Sequence, residues 1–325
     1  MLGLLIVCVI FGAVYFLRES KDPVLPSKEN TKTGKDYSIF GPTVESEDES
    51  PISEPAISNR ANAIDLNIIA ANAIVMNKDT DALLYQKNGT DRIAPASTAK
   101  MITALTVLEY CSPEEEMRVG AEIEMIHSDS STAWLMKGDT LTVRQLLIAL
   151  MLPSGNDAAY TLAVNTGKVI AGDNSLSNQQ AIQIFMDKVN EKARAIGVTD
   201  SNFVVPDGYD AEGQYTTAYD LAIIAKACLE DPIISEIVAS NTSYEKWPNG
   251  REVTYNNSNE LLDPNSPYYR PEVIGLKTGT SSLGGACVVS AAVIDGETYI
   301  CVVMGSTKES RFQDSVAILD KIKAQ

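Results

Sequence analysis

The strongest constraint on the fold of this chain is a pair of apolar segments near the C-terminus, joined by Asp295-Gly296. These segments, residues 286–294 and 297–304, each have the length of a strand. An Asp-Gly pair between two such runs is typical of a two-residue type I′ turn. Residues 72–87 contain a second pair of short apolar runs around a polar turn, which predicts another hairpin.

Most of the remaining chain has the apolar spacing and the end signals of helices. Helices are predicted from residue 97 to about 110, over 142–152, from about 157 onward, over 177–196, from 217 to about 229 and over 310–323. Strands at both ends with helices between them predict an α+β fold. We expect the N-terminal hairpin and the C-terminal strands to share one antiparallel sheet.

The chain has three regions of different composition. Residues 1–17 are apolar without interruption, which is the lower limit for a membrane helix, and no clear cleavage site follows. We therefore expect a membrane anchor or a signal segment there, with the anchor favoured, although Arg18 and Lys21 follow the segment and give no clear orientation. Residues 18–63 have the composition of a disordered polar linker, and residues 64–325 are expected to form one compact domain.

The charge and the cysteines exclude several classes of function. The net charge of -17 argues against a nucleic-acid partner, because phosphate binding needs a basic surface. The five cysteines form no C-x-x-C pair and the chain has one histidine, so no structural zinc site is expected. No cofactor is expected either. Buried thiols are the simplest interpretation, with a Cys111–Cys228 disulfide as an alternative for an exported domain.

The chain has a single histidine, His127, and this count limits the possible mechanisms. Any Ser-His-Asp hydrolase would have to use His127, but no G-x-S-x-G sequence accompanies it. We interpret His127 as a surface-loop residue. A serine hydrolase built from this chain would therefore need a base other than imidazole.

A serine and a lysine at helical spacing offer such a base. Ser97 follows a turn and can cap or open an apolar helix, and Lys100 lies three residues further on, on the same helix face. This arrangement suits a serine nucleophile activated by an amine. The spacing alone is weak, because Ser243 and Lys246 repeat it in a polar segment.

Two further motifs distinguish Ser97 from that repeat. Ser154-Gly155-Asn156 is the only Ser-x-Asn in the chain and follows Pro153, which ends a predicted helix. Lys277-Thr278-Gly279-Thr280 follows an apolar run and precedes the final hairpin, so it is expected on a strand. A second Lys-Thr-Gly begins at Lys32, but it lies in the linker with no strand beside it.

The first two motifs together suggest a catalytic mechanism. Lys100 could accept the proton of Ser97 if desolvation, a second cation such as Lys277 and a helix N-terminus lower its pKa. Ser154 could relay that proton to a leaving amine. Asn156 could hold Lys100 and a substrate carbonyl.

The third motif suggests how a substrate would bind. Lys277 and Thr278 on a strand edge would bind a carboxylate, and Gly279 belongs to the same segment. Backbone N–H groups of Ser97 and Thr280 could form an oxyanion hole. The substrate would lie beside the edge strand as an additional strand.

From about residue 66 to its end, the chain resembles the serine-type D-alanyl-D-alanine carboxypeptidases, which are low-molecular-weight penicillin-binding proteins. The resemblance is carried by the three motifs and by the segments 73–76, 84–85, 95–104, 141–147, 152–159, 215–221, 257–261 and 275–280. It implies a β-lactamase/transpeptidase-like fold, a five-stranded antiparallel sheet flanked by helices with a helical subdomain. It also implies removal of the terminal D-Ala from peptidoglycan stem peptides through an acyl-Ser97 intermediate, β-lactams as covalent inhibitors, and a location at the extracytoplasmic face of the membrane.

The chain departs from its relatives at a few positions. Pro206-Asp207-Gly208 stands where relatives often have Pro-His-Gly, and Gln214 replaces a common histidine. Many relatives carry a β-rich domain and an amphipathic tail after the catalytic domain, and we expect an N-terminal anchor to replace that tail here.

Two other functions remain to be weighed. A class A-like β-lactamase shares the fold, but it deacylates with a glutamate in a Glu-x-x-Leu-Asn loop, and no such string lies between Asn156 and Lys277. A non-catalytic, membrane-tethered sensor of β-lactams or cell-wall peptides is the second alternative. Release of D-Ala from a peptide would separate the carboxypeptidase from the sensor.

Overall fold

A computed structural model describes residues 64–325 of the chain. The predicted anchor, 1–17, and the predicted linker, 18–63, lie outside the described residues. In the described part of the chain, no helix is long and apolar enough to cross a membrane.

The described residues form nine strands and seven helices. The strands are β1 Asn72–Asn77, β2 Leu83–Lys87, β3 Glu116–Arg118, β4 Thr140–Thr142, β5 Thr242–Lys246, β6 Glu252–Asn256, β7 Val273–Ser281, β8 Gly285–Ile294 and β9 Glu297–Ser306. The helices are α1 Lys100–Tyr110, α2 Val143–Met151, α3 Asn156–Ala171, α4 Asn178–Ala195, α5 Ala218–Glu230, α6 Pro232–Ala239 and α7 Ser310–Lys323. Three short 3-10 segments, Ala96–Ala99, Ala121–Met125 and Glu260–Leu262, complete the description.

The main sheet has five antiparallel strands in the order β2-β1-β9-β8-β7, which confirms the predicted sharing of one sheet by the two ends of the domain. The turn between β8 and β9 has φ angles of 53° at Asp295 and 84° at Gly296. Positive φ at both central residues is the signature of the predicted type I′ turn. Strand β7 lies at one edge of the sheet, where its outer side is free to pair.

Both faces of the sheet are buried, which explains why its C-terminal strands have nearly continuous apolar sequences. Ile74, Val289 and Val302 belong to a large core that the sheet shares with the helices α1 to α6. The neighbouring residues Val75 and Val303 point to the opposite face and pack with residues of α7. Successive side chains alternate between the two faces of a strand, so one run of apolar residues serves two cores.

Three helices begin at or next to the predicted starts, and each has a capping side chain there. Thr142 and Ser177 each form a complete capping box, with Gln145 and Gln180 respectively. Thr217 caps α5 by accepting a hydrogen bond from the backbone of Asp220, without the reciprocal bond of a capping box at this helix end. The Asp220 carboxylate instead accepts hydrogen bonds from residues 199–201, and so ties a neighbouring loop to α5.

Two expectations need correction, and three features were not predicted. Ser97 neither caps nor opens α1, because it lies in the 3-10 turn Ala96–Ala99 and the helix begins at Lys100. The alternative disulfide is wrong, since Cys111 and Cys228 are both buried free thiols, as are the other two described cysteines. Helix α6 and the strand pairs β3–β4 and β5–β6 were not predicted, because they are short and β5 and β6 are mostly polar.

Close packing of α3 on α4 gives a testable stability prediction. A Cβ added to Gly167 on α3 would lie 2.0 Å from the backbone oxygen of Ala181 on α4. Backbone cannot yield as a flexible side chain can, so we expect Gly167→Ala to lower the free energy of unfolding by about 2 kcal/mol or more. Denaturant unfolding followed by circular dichroism measures this.

The matched control is Gly172→Asn at the C-terminal end of the same helix. Gly172 has a φ of +64° and nothing within 4 Å of an added Cβ, and asparagine tolerates this conformation. Its unfolding free energy should stay within about 1 kcal/mol of wild type. Equal losses in both variants would contradict the proposed packing constraint.

Candidate active site

The structure brings the predicted motifs together around one cavity of about 540 Å³. Its lining includes Ser97, Ser154, Asn156 and three residues of the third motif, Thr278, Gly279 and Thr280. Lys100 and Lys277 lie just behind this lining, and each is no more than 1% exposed. The competing Ser243 and Lys246 lie on β5, where Lys246 pairs with Glu252.

The Lys100 amine makes three hydrogen bonds in the interior. Its Nζ donates to Ser97 Oγ at 2.9 Å, to Asn156 Oδ1 at 2.8 Å and to the backbone oxygen of Asp207 at 2.7 Å. An ammonium group has three donors and no acceptor, so these three partners satisfy it fully. The contacts join α1, the start of α3 and the loop before α5 at one atom.

Burial leaves a larger fraction of Lys100 neutral at neutral pH than of an ordinary lysine, and only the neutral amine can accept a proton. Desolvation lowers the pKa of Lys100 from 10.5 to about 8, against the opposing effect of the Asp207 and Asp157 carboxylates. The predicted contribution of desolvation is therefore the dominant one. Burial also holds the pKa of Lys277 well below its usual value, and the charges of Lys100 and Arg311 lower it further.

Two glycines allow other segments to press against the Ser97 turn. Gly208 has a φ of +81°, and a Cβ there would lie 1.9 Å from the backbone oxygen of Ala96. On the other side, a Cβ at Gly279 of β7 would lie 3.0 Å from the backbone nitrogen of Ser97. The turn that carries Ser97 is thus held between the 207–208 loop and the edge strand.

The second motif is fixed to the loop that precedes β4. Ser154 has a φ of +66°, and its backbone oxygen accepts a hydrogen bond from Ser131 Oγ at 2.6 Å. The backbone nitrogen of Asn156 donates to the Ser131 oxygen at 2.9 Å. The Ser154 hydroxyl has no hydrogen-bond partner among residues 64–325, so it is not committed to a structural contact there.

The third motif is placed on a strand, as predicted, but its lysine does not line the cavity. Lys277 Nζ donates to the backbone oxygen of Thr278 at 3.1 Å. The Thr278 hydroxyl lies 2.6 Å from that of Ser258. Lys277 therefore does not reach the cavity directly, whereas Thr278 lines it.

An arginine that sequence reasoning missed lies beside this motif. Arg311, in the first turn of α7, lines the cavity and donates to the backbone oxygen of Gly279 at 3.0 Å and to Thr280 Oγ1 at 3.2 Å. Lys308 lines the same end. No local pattern indicates Arg311, because it reaches the site only when α7 packs on the sheet.

The single histidine stands apart from the proposed nucleophile. His127 is exposed and stacks on Tyr209 with ring centroids 3.8 Å apart, which agrees with its interpretation as a surface-loop residue. It does not line the cavity among the described residues. Tyr209 also donates to Asp129 at 3.1 Å. The loop that carries His127 and Asp129 and the loop that carries Tyr209 therefore form one rim of the cavity.

In this site a serine hydroxyl contacts a buried amine beside a cationic wall. This arrangement is typical of a serine hydrolase that uses lysine in place of histidine as the base. Comparison with known proteins makes the assignment specific. The D-alanyl-D-alanine carboxypeptidase family matches residues 58–308, and the chain belongs to this family.

Individual relatives agree with this assignment. The chain is 29% identical over 255 residues to the D-alanyl-D-alanine carboxypeptidase DacF of Bacillus subtilis, a match that covers 77% of this chain and 61% of that protein. It is 32% identical over 265 residues to the D-alanyl-D-alanine carboxypeptidase of Streptomyces sp. strain K15, covering 78% of this chain and 87% of that protein.

The fold expected from the resemblance is also confirmed. The crystal structure of the Streptomyces K15 DD-transpeptidase is similar with a TM-score of 0.72 at 29% sequence identity, covering 80% of this chain and 99% of that chain. The D-alanyl-D-alanine carboxypeptidase DacD of Francisella tularensis gives a TM-score of 0.68 at 25% identity, covering 80% and 71%.

The carboxylate of Asp157 gives a prediction about how the site is held. It accepts hydrogen bonds from the backbone nitrogens of Ala133, Leu135 and Ala158 at 2.8–3.1 Å. Asp157→Asn would place an NH₂ group against one of these donors. We expect a loss of about 2 kcal/mol in unfolding free energy, because a buried donor loses its partner.

Unfolding in denaturant measures the loss, and Asp187→Asn on the exposed side of α4 is the control for the removed charge. The loop should also become more accessible, so protease cleavage near Trp134 should be faster in Asp157→Asn. Wild-type stability and wild-type cleavage in this variant would contradict the account.

Proposed function

We propose that this protein is a serine D-Ala-D-Ala carboxypeptidase that removes the terminal D-Ala from peptidoglycan stem peptides. The observation that carries the proposal is the 2.9 Å contact between Lys100 Nζ and Ser97 Oγ, at the wall of a cavity with a cationic end. Family membership gives the substrate class, since the matching family bears this activity in its name.

The hydrogen bonds of Lys100 explain how Ser97 would be activated. A neutral amine keeps two N–H donors, which the oxygens of Asn156 and Asp207 can accept. The lone pair then faces the remaining partner, the Ser97 hydroxyl. Because two carbonyl acceptors fix the amine, its lone pair faces Ser97 as soon as Lys100 loses its proton.

The reaction would proceed in two steps. Ser97 Oγ attacks the carbonyl carbon between the two D-Ala residues, while its proton passes to Lys100. The peptide C–N bond then breaks, and the proton passes to the departing D-Ala amine, with Ser154 as the relay. In the second step water attacks the acyl carbon, gives a proton to Lys100 and releases Ser97 Oγ, which takes that proton back.

The cationic side chains at one end of the cavity support one orientation of the substrate peptide. Arg311, Lys308 and the Thr280 hydroxyl lie at one end and suit the terminal carboxylate of the substrate. Lys277, whose Nζ lies behind the wall at the backbone oxygen of Thr278, would support this end in its protonated form. The chain of the substrate would pair with the free edge of β7, with Ser97 and Thr280 N–H groups at the carbonyl oxygen.

A β-lactam would occupy the same site, since it offers a strained amide and a carboxylate. We propose that it acylates Ser97 and is released slowly. The acidic residues that line the cavity are Asp129 and Asp210, and no glutamate is found in that lining within the described chain. This favours a penicillin-sensitive carboxypeptidase over the β-lactamase alternative.

We also propose the arrangement of the whole chain. Residues 1–17 would anchor the protein at the extracytoplasmic face of the membrane, and residues 18–63 would tether the catalytic domain, 64–325. A flexible linker of that length reaches roughly 35–40 Å, enough to place the domain near peptidoglycan. A secreted form would result if the N-terminal segment is cleaved.

The direct test measures D-Ala release from a D-Ala-D-Ala peptide and labelling by a fluorescent penicillin. Ser97→Ala should abolish both, and Lys100→Ala should lower the acylation rate by several orders of magnitude, because it removes the base. Ser243→Ala, at the second Ser-x-x-Lys, is the matched control and should keep both activities.

The two alternatives have distinct signatures in the same assay. Labelling without D-Ala release by the wild type would favour the sensor. Many turnovers of penicillin per second would favour the β-lactamase.

A second prediction concerns the carboxylate site. Arg311→Gln removes a charged donor, so kcat/KM for the peptide should fall about 10- to 100-fold, mainly through a higher KM. An otherwise identical peptide with a C-terminal amide should lose little between wild type and variant. Arg118→Gln, at an exposed position, controls for the lost charge. Equal losses on acid and amide peptides would contradict the proposed role.

A further inference from the structure

A buried carboxylate lies next to the base, and the mechanism above does not use it. Asp207 is 1% exposed, and its backbone oxygen accepts the 2.7 Å hydrogen bond from Lys100 Nζ. One carboxylate oxygen, Oδ1, accepts from the backbone nitrogen of Tyr209 at 3.1 Å. The other, Oδ2, is buried and has no hydrogen-bond partner among the residues that the structure describes.

A buried charge with a free oxygen is costly unless a charge of opposite sign lies near it. The charged and titratable groups that face this region are Lys100 of α1, Asp157 and Tyr160 of α3, Lys277 of β7 and Tyr209 of the same loop. Lys100 is the cation in direct contact with residue 207.

The second buried carboxylate near Lys100, that of Asp157, already has several hydrogen-bond donors. Asp157 accepts hydrogen bonds from three backbone nitrogens, which spread its charge into the loop before β4 and the start of α3. Asp207 receives a single backbone N–H at its side chain. Of the two, Asp207 therefore has the charge that is less compensated by local hydrogen bonds.

The electrostatic effect of Asp207 extends to several neighbours. Its charge raises the pKa of Lys100, opposing the effect of burial. It also adds to the rise in the pKa of buried Tyr160, which desolvation dominates. The carboxylate of Asp207 disfavours deprotonation of Lys100, whereas burial favours it. The balance of the two effects lets Lys100 both accept and donate a proton near neutral pH.

We propose that Asp207 is a positioning residue that acts through Lys100: its buried negative charge keeps Lys100 protonated in the resting site and sets the pH above which Ser97 is acylated. The inference rests on the proposed function, because it assigns Lys100 as the base. The charge of Asp207 also stabilises the ammonium that forms when Lys100 takes the proton of Ser97, since a negative charge favours the charged form.

The test is the pH dependence of Ser97 acylation by a fluorescent penicillin, measured on the full chain between pH 5 and pH 10. Acylation by wild type should rise with pH through about 8, because only neutral Lys100 accepts a proton. Asp207→Asn keeps the shape and an oxygen for the Tyr209 N–H, but removes the charge. Lys100 should then lose its proton at lower pH.

In Asp207→Asn, the part of the pH–rate profile in which acylation rises with pH (its acidic limb) should shift to lower pH by roughly one unit. The maximal acylation rate at high pH should be lower. One unit below the wild-type midpoint, about half of Lys100 would be neutral in the variant and about a tenth in wild type, so the variant should acylate up to about fivefold faster than wild type. A residue with only a structural role would lower the rate at every pH. An unmoved limb, or a limb moved to higher pH, would overturn the proposal.

A second pair of variants covers the case in which Asp207→Asn does not fold. Asp207→Glu and Asp207→Gln are matched in size and differ in charge, so the limb of the Glu variant should lie at higher pH than that of the Gln variant. Coincident limbs would overturn the proposal. Asp187→Asn controls for the net charge and should leave the limb unchanged.

The outcomes separate this inference from the proposed function. If wild type is not acylated, or if Ser97→Ala is still labelled, the proposed function fails and the role of Asp207 fails with it. If wild type shows the limb and Ser97→Ala is silent, the proposed function stands. A limb insensitive to the charge at residue 207 then overturns the role of Asp207 alone.

Discussion

The site depends on one buried nitrogen atom. Lys100 Nζ joins three segments that are far apart in the sequence, through Ser97, Asn156 and the backbone of Asp207. An amine in this position has lost most of its water, so burial brings its pKa to about 8. The same contacts that satisfy the ammonium orient the neutral amine toward Ser97, and structure and reactivity therefore rest on one set of hydrogen bonds.

The rest of the fold keeps those segments in place. Helix α3 begins at Asn156, and Asp157 at its first turn holds the loop that carries Ser131 against the second motif. Gly208 and Gly279 permit backbone contact on both sides of the Ser97 turn. Strand β7 must lie at the edge of the sheet, because a central strand would have no free side for an extended peptide.

Much of this architecture could be predicted from the sequence, because its signals are local. The Asp295-Gly296 turn, the capping boxes at Thr142 and Ser177 and the apolar strands all depend on neighbours in the chain. The three motifs indicated the chemistry, since each combines a reactive residue with a specific element. Arg311 and the Asp207 carboxylate could not be assigned in this way, because only tertiary packing brings them to the cavity.

The central claim is that Lys100 is a lysine whose proton is exchanged near neutral pH. The most direct measurement is an NMR titration of the ¹³Cε signal of Lys100 in protein with labelled lysine, assigned by comparison with Lys100→Arg. The account predicts a midpoint near 8. A midpoint near the ordinary lysine value of 10.5 would contradict it, because Lys100 would then be fully protonated wherever the enzyme works.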